Sequence, residues 1–305
     1  MVLYWKEVCH VVRITQILNL PPETLNRTLL LGGPGIGKTE VTEQYARELA
    51  RKEGRIFVDL DIVDNETARK LVDNCRDYFV YFRVAAPHIF PEDVSIPKPL
   101  TSGDVVDFLT PVRLMILSKC RGLFFIDEMT NVKRADQRVF FYSLVQEGKA
   151  GWSWRISPDV IIVLAGNPPS MSADAEPLPA PLLNRLTVLN VEPPTVDEWC
   201  TYMDNRYGSA WERAVCEFLR EGPSFLFEVP KEPEGLEPYP TPRSWTRLAL
   251  QLHIIGGNAD EDTVAEIIYG NVGRSVGSKF LNFYMSKVPK DFFRKTARAL
   301  EKVRS

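Results

Sequence analysis

Histidine is scarce in this chain. His10, His88 and His253 are the only three, and they stand too far apart in sequence to suggest a shared metal. The five cysteines (Cys9, Cys75, Cys120, Cys200 and Cys216) include no C-x2-C pair. They are expected to be buried or free thiols of a reducing compartment, forming neither a zinc site nor a disulfide framework. No run of 18 apolar residues occurs, so no segment is expected to span a membrane. The N-terminal apolar stretch contains Lys6, Glu7 and Arg13 and does not read as a signal peptide. A net charge of −3 gives no overall basic field for nucleic acid. Internal repeats and low-complexity tracts are absent. What remains is a cytoplasmic globular protein. Its 305 residues, 45 % of them hydrophobic, suffice for one large domain or two modest ones.

Against that plain background one stretch stands out. Gly32-Gly33-Pro34-Gly35-Ile36-Gly37-Lys38-Thr39 has the spacing G-x4-G-K-T of a phosphate-binding loop. Glycines let the backbone curl so that successive N–H groups point at phosphate oxygens. Residues Gly33, Pro34, Gly35, Ile36, Gly37, Lys38 and Thr39 are therefore the expected nucleotide-binding set. Lys38 would reach the β- and γ-phosphates, and the Thr39 hydroxyl would ligate Mg²⁺. The flanks agree: Leu29-Leu30-Leu31 reads as a short buried strand. Glu40 to Arg51 reads as a helix with Val41, Tyr45 and Leu49 on one face and Glu43/Arg47 and Glu48/Lys52 as i,i+4 pairs.

Val2 to Asn19 has the apolar stripe of an amphipathic helix, ended by Pro21-Pro22. Arg55–Leu60 and Tyr78–Val84 read as strands, Glu66–Arg76 as a helix, and Pro87–Gly103 as a Pro-rich loop. Val105–Lys119 reads as a helix with an ill-defined start at Pro111. Gly122 to Glu128 is too continuously hydrophobic to be half exposed and reads as a central parallel strand. It ends in Asp127 and Glu128, at the strand end where open α/β sheets hold ligands. Asp127 would hold Mg²⁺, and Glu128 would act as general base on the attacking water. Arg134–Gln146 reads as a helix with Val139, Phe140, Leu144 and Val145 inward, and Gly148–Ile156 as a hairpin. Packing is favoured over base stacking for its Trp152 and Trp154. Val160–Ala165 is a further buried strand, delivering Asn167 to the water beside Glu128; the alternative is an asparagine opening a turn before proline. After the strand Thr187–Val191, Pro193-Pro194 marks a boundary beyond which the α/β alternation stops, and Gly222–Pro240 reads as a loop rich in Pro and Glu among helices. Thr195–Arg220, Asp260–Tyr284 and Pro289–Val303 are those helices, along with one opened by Thr241-Pro242-Arg243 and running to Ile255.

In this order, the Gly32–Thr39 loop, Phe124–Glu128, Gly166-Asn167-Pro168, Leu182-Leu183-Asn184-Arg185-Leu186 and Thr241–Arg243 resemble an AAA+ ATPase of the MoxR-like branch, over roughly residues 3–300. The resemblance implies an α/β P-loop NTPase domain over residues 1–192, its parallel sheet sandwiched by helices, followed by an α-helical lid over 193–305. It also implies that Asn167 is the sensor-one residue, that Arg185 resembles the arginine finger serving the neighbouring subunit, and that Arg243 matches the sensor-two arginine. Pro91-Glu92-Asp93 resembles the proline-acid segment before a pore-facing loop. The implied cofactors are ATP and Mg²⁺. The implied partners are further copies of the chain in a ring, most simply a hexamer, and a protein client or von Willebrand A domain protein. Two features depart from the family: Arg55–Asp77 is longer than expected, and Ser95–Thr110 lacks an aromatic-hydrophobic-Gly pattern, which argues against polypeptide threading. The rival reading is a nucleic-acid-stimulated motor NTPase of a restriction, viral or packaging system. The acidic net charge disfavours it, while Lys290, Arg294, Lys295, Arg298, Lys302 and Arg304 keep it open. A nucleotide-gated scaffold with negligible turnover is a third reading, against which Glu128 argues.

Overall fold

The computed structural model describes residues 11–287, apart from 102, 104, 151–153, 230–236 and 257–258. The chain divides into two compact units. The first holds the chain up to Gly33 together with 38–192, and the second holds Pro34–Gly37 and the chain from Pro193 onward.

The first unit is built on strands β1 (Val12–Arg13), β2 (Thr28–Gly32), β3 (Ile56–Asp59), β4 (Tyr78–Ala85), β5 (Ile96–Pro99), β6 (Val106–Leu109), β7 (Arg121–Asp127), β8 (Lys149–Ala150), β9 (Trp154–Arg155), β10 (Val160–Gly166) and β11 (Thr187–Glu192). Its helices are α1 (Pro22–Leu25), α2 (Lys38–Lys52), α3 (Asn65–Asp73), α4 (Val112–Leu117), α5 (Ala135–Glu147) and α6 (Ala180–Leu183). Seven strands form one sheet in the order β1-β11-β2-β10-β7-β4-β3, every adjacent pair parallel. All seven residues of β10 are buried, as are Gly122 to Ile126 in β7. Burial on both faces is why these strands read as continuous apolar runs with no alternation. Phe124, Ile126, Ile162 and Leu164 join Ile116, Phe141 and Leu144 in one core cluster. Successive side chains point to opposite faces, and α2 packs against β3, β4, β7 and β10. Asp64 caps α3 by accepting from Thr67 N at 2.8 Å. Arg55–Asp77 forms a strand-helix unit, its strand β3 at the sheet edge.

The second unit holds α7 (Val196–Tyr207), α8 (Ala214–Glu221), α9 (Pro242–Ile255) and α10 (Glu261–Lys287), the last broken at Gly273. It has its own core of Trp199, Trp211, Phe218, Trp245, Leu248 and Phe280. Thr195 caps α7, and Thr241 caps α9 by accepting from Ser244 N at 3.1 Å.

Several expectations are corrected. The amphipathic stripe over Val2–Asn19 does not give one helix. Val12–Arg13 pairs with β11 at the sheet edge, and Ile14–Asn19 is a 3-10 helix that buries Ile14 and Ile17; residues 2–10 lie outside the described residues. The stretch Pro87–Gly103 is more than a loop, because Ile96–Pro99 pairs antiparallel with Val106–Leu109. The following helix begins only after Pro111, because Val106–Leu109 is paired in the ribbon and a proline does not sit in a helix interior. Val139 is 59 % exposed, and Phe141 takes the inward place expected for it. Glu48 pairs with Arg51 at 3.0 Å, not with Lys52. The single helix expected over Thr195–Arg220 is interrupted between α7 and α8 at Gly208, which has a positive φ. The cysteine reading also fails. Cys75 is bonded to Cys120 and Cys200 to Cys216, with Cα atoms 4.8 and 6.1 Å apart. Folding brings together residues 45 and 16 positions apart, so the cysteine argument for a reducing compartment falls with it. Cys9 and the basic residues from Lys290 to Arg304 lie outside the described residues.

Candidate nucleotide site

The loop from β2 into α2 needs left-handed backbone at two points, Gly35 (φ +73°) and Gly37 (φ +102°). Side chains rarely adopt these values, so glycine at both positions lets the chain double back before the helix. The fold then fixes three carboxyl ends side by side: β2 runs into the loop, its neighbour β10 delivers Asn167, and β7, beside β10, delivers Asp127 and Glu128. Because the strands are parallel, all three ends open on the same edge of the sheet.

Lys38 lies at the start of α2 and is 8 % exposed. Its Nζ donates to the carbonyls of Gly32 (2.8 Å) and Gly33 (2.9 Å) and to Asn167 Oδ1 (2.9 Å). The lysine after the glycine-rich loop and the strand-end amide thus meet directly. The next residue, Thr39, donates from Oγ1 to Asp127 Oδ2 at 2.9 Å. Asp127 Oδ1 accepts from Glu128 N at 2.9 Å. Glu128 leaves the strand in left-handed conformation (φ 57°, ψ 32°), one of two non-glycine residues with positive φ among the described residues. It is exposed, and among the described residues no side chain hydrogen-bonds or ion-pairs with its carboxylate. A carboxylate left unpartnered next to a metal-suited acid can accept a proton from water.

The donors suit Mg²⁺. A hydroxyl and a carboxylate oxygen 2.9 Å apart form a hard, all-oxygen pair, and the Asp127 side chain is only 14 % exposed. Among the described residues no group of three or more His, Cys, Asp or Glu gathers elsewhere as a metal cage. Few protein ligands is the usual arrangement where Mg²⁺ is shared with substrate phosphates.

Two participants had not been singled out from the sequence. Arg83, in β4, reaches Asp127 Oδ2 at 3.3 Å; its only signal was a lone charge in the aromatic and β-branched run Tyr78–Val84. Thr130 is 3 % exposed, and its Oγ1 accepts from Asn167 N at 3.0 Å. A Cβ at Gly166 would come within 2.7 Å of the Thr130 side chain, so the glycine permits the close approach that ties the two strand ends together.

Arg185 follows α6 in the first unit. It is exposed, it donates to the Pro181 carbonyl, and it pairs with no carboxylate among the described residues. Arg243 is exposed in the first turn of α9, in the second unit. Trp154 is buried and donates to Leu114 O at 2.6 Å, so it is a packing residue; Trp152 lies outside the described residues. No described helix is long and apolar enough to cross a membrane.

No family model matches the sequence, and the search of curated proteins finds no match. Among solved structures, the chain is similar to a lysine-to-arginine mutant of RuvB from Thermotoga maritima, at 16 % identity and TM-score 0.44, covering 88 % of this chain and 68 % of that one. It is also similar to NtrX from Brucella abortus, at 14 % identity and TM-score 0.42, covering 79 % of this chain and half of that one. Neither likeness bears on chemistry.

Proposed function

We propose that this chain is a Mg²⁺-dependent ATPase of the AAA+ class and its MoxR-like branch, working as a ring, most simply a hexamer, that remodels a protein partner. The observation that carries the reading is the convergence of Lys38, Thr39, Asp127 and Asn167 at the carboxyl ends of three adjacent strands.

Lys38 supplies the fixed cation for the β- and γ-phosphates. Thr39 and Asp127 are the oxygens that would hold Mg²⁺, which when bound draws charge from the phosphate oxygens. Glu128 takes the proton of the attacking water, and Asn167 orients that water. Thr130 fixes the Asn167 backbone. Arg185 acts as the arginine finger toward a neighbouring subunit, and Arg243 acts as the sensor-two arginine. The client, or a von Willebrand A domain partner, comes from family analogy alone. A cytoplasmic setting suits an enzyme that draws on ATP.

Lys38→Ala tests the reading. It removes the cation at the β/γ-phosphates, so binding of a fluorescent ATP analogue should be lost or greatly weakened while the fold, followed by circular dichroism, persists. A variant that binds the analogue like the wild type would end the phosphate-loop assignment.

A further inference from the structure

Strand β4 reads Tyr78-Phe79-Val80-Tyr81-Phe82-Arg83-Val84-Ala85, with one charge among eight residues. Val80 belongs to the core cluster that includes α4 and α5, and Phe82 and Val84 pack against it. Alternation turns Arg83 to the opposite face. The pairing of β4 with β7 sets Arg83 opposite Phe125 and Ala85 opposite Asp127. From there the guanidinium reaches Asp127 Oδ2 at 3.3 Å, the same oxygen that accepts from Thr39 Oγ1 at 2.9 Å. Asp127 Oδ1 is taken by Glu128 N. The inner carboxylate oxygen is therefore held by the proposed metal-ligand hydroxyl and by a permanent cation at once.

A divalent cation drawing on that oxygen, directly or through its water shell, meets the guanidinium there as a like charge. Arginine cannot relieve the conflict by losing a proton. It can only move, and its side chain is 46 % exposed, so the pair is one that solvent already weakens.

We infer that Arg83 and Mg²⁺ compete for Asp127 Oδ2, so that Arg83 sets the metal concentration at which nucleotide is held. This rests on the phosphate-loop reading above. Arg83 is a positioning residue with two opposed effects. Without metal it neutralises Asp127 and shields nucleotide phosphates from a bare carboxylate. With metal it opposes cation binding.

The test is binding of fluorescent ADP, which is not hydrolysed, by wild type, Arg83→Ala and Arg83→Lys over a Mg²⁺ titration that begins in chelator. Bound Mn²⁺ with ADP, read by electron paramagnetic resonance, gives a second and direct readout. In Arg83→Ala the half-saturating Mg²⁺ and Mn²⁺ concentrations should fall by about two- to fivefold, the range expected for a half-exposed ion pair. ADP affinity in chelator should fall at the same time, and Arg83→Lys should restore much of it. A purely structural role would weaken both measurements together, so opposite signs are the signature. An unchanged or raised metal requirement in Arg83→Ala overturns the competition. If the wild type fails to bind ADP at any Mg²⁺ concentration, or if Lys38→Ala binds as well as the wild type, the phosphate-loop reading fails and takes this inference with it.

Discussion

Glu128, the proposed base, leaves its strand in an unusual backbone conformation. Its left-handed conformation costs on the order of 1–3 kcal/mol for a side chain with a Cβ. The conformation is held by two bonds, Glu128 N to Asp127 Oδ1 at 2.9 Å and Asn131 N to Glu128 O at 2.9 Å. Glu128→Gln keeps both backbone bonds and removes only the proton acceptor. It should bind ATP and Mg²⁺ as the wild type does and turn over about a hundredfold more slowly or worse, the usual contribution of a positioned base. Near-normal phosphate release in a steady-state assay would remove Glu128 from the mechanism. At this scale Lys38, Thr39, Asp127 and Asn167 were legible in the sequence, because each sits at a fixed offset from a strand or a glycine pattern. Arg83 and Thr130 were not. Their parts depend on which strand β4 pairs with and on how closely Thr130 meets Gly166, and neither is a local property.

Among the elements, the buried strands announced themselves through unbroken apolar runs, and α2 and α9 through their caps and spacing. The β5–β6 ribbon did not. Pro97 and Pro99 lie within it, and proline argues against a strand when the sequence is read alone. A two-stranded ribbon, however, has outward rows of unpaired N–H positions where a missing donor is harmless. Ile96, Leu100, Val105, Val106 and Leu109 on this hairpin are 44–54 % exposed. So much apolar surface on one exposed ribbon suits contact with a protein partner. Ile96 and Leu109 are cross-strand neighbours, so the flanking chain can be rejoined by a short glycine turn in place of residues 96–109. That variant should bind fluorescent ADP with unchanged affinity. In the Glu128→Gln background it should lose the proteins that co-purify with the trapped enzyme. Loss of ADP binding or of the folded state would show the ribbon to be structural.

For the molecule as a whole, the ring reading turns on Arg185. The guanidinium is exposed at the end of α6 and bonded only to a backbone carbonyl among the described residues, so nothing within its own unit commits it to an ion pair. Arginine suits a finger because it stays charged and its planar fork meets two phosphate oxygens. Such a finger contributes about 10³–10⁵ in rate. Arg185→Ala retains a working pocket and Lys38→Ala retains a working finger, so each alone should be nearly inactive while still assembling. Mixed, some interfaces pair a good pocket with a good finger, and partial ATPase activity should return. A mixture that co-assembles yet stays as inactive as its parts would rule out action across an interface. The sheet order carries one more implication, and it concerns time. The strand that feeds the glycine-rich loop, β2, is made well before both its partners, β10 and β11, which lie more than a hundred residues downstream. On a ribosome adding about 5–20 residues per second, Leu29 and Leu30 wait on the order of ten seconds for anything to pair with. The nascent chain must carry the apolar strand behind its proposed nucleotide site unprotected while the residues between β2 and β10 are added.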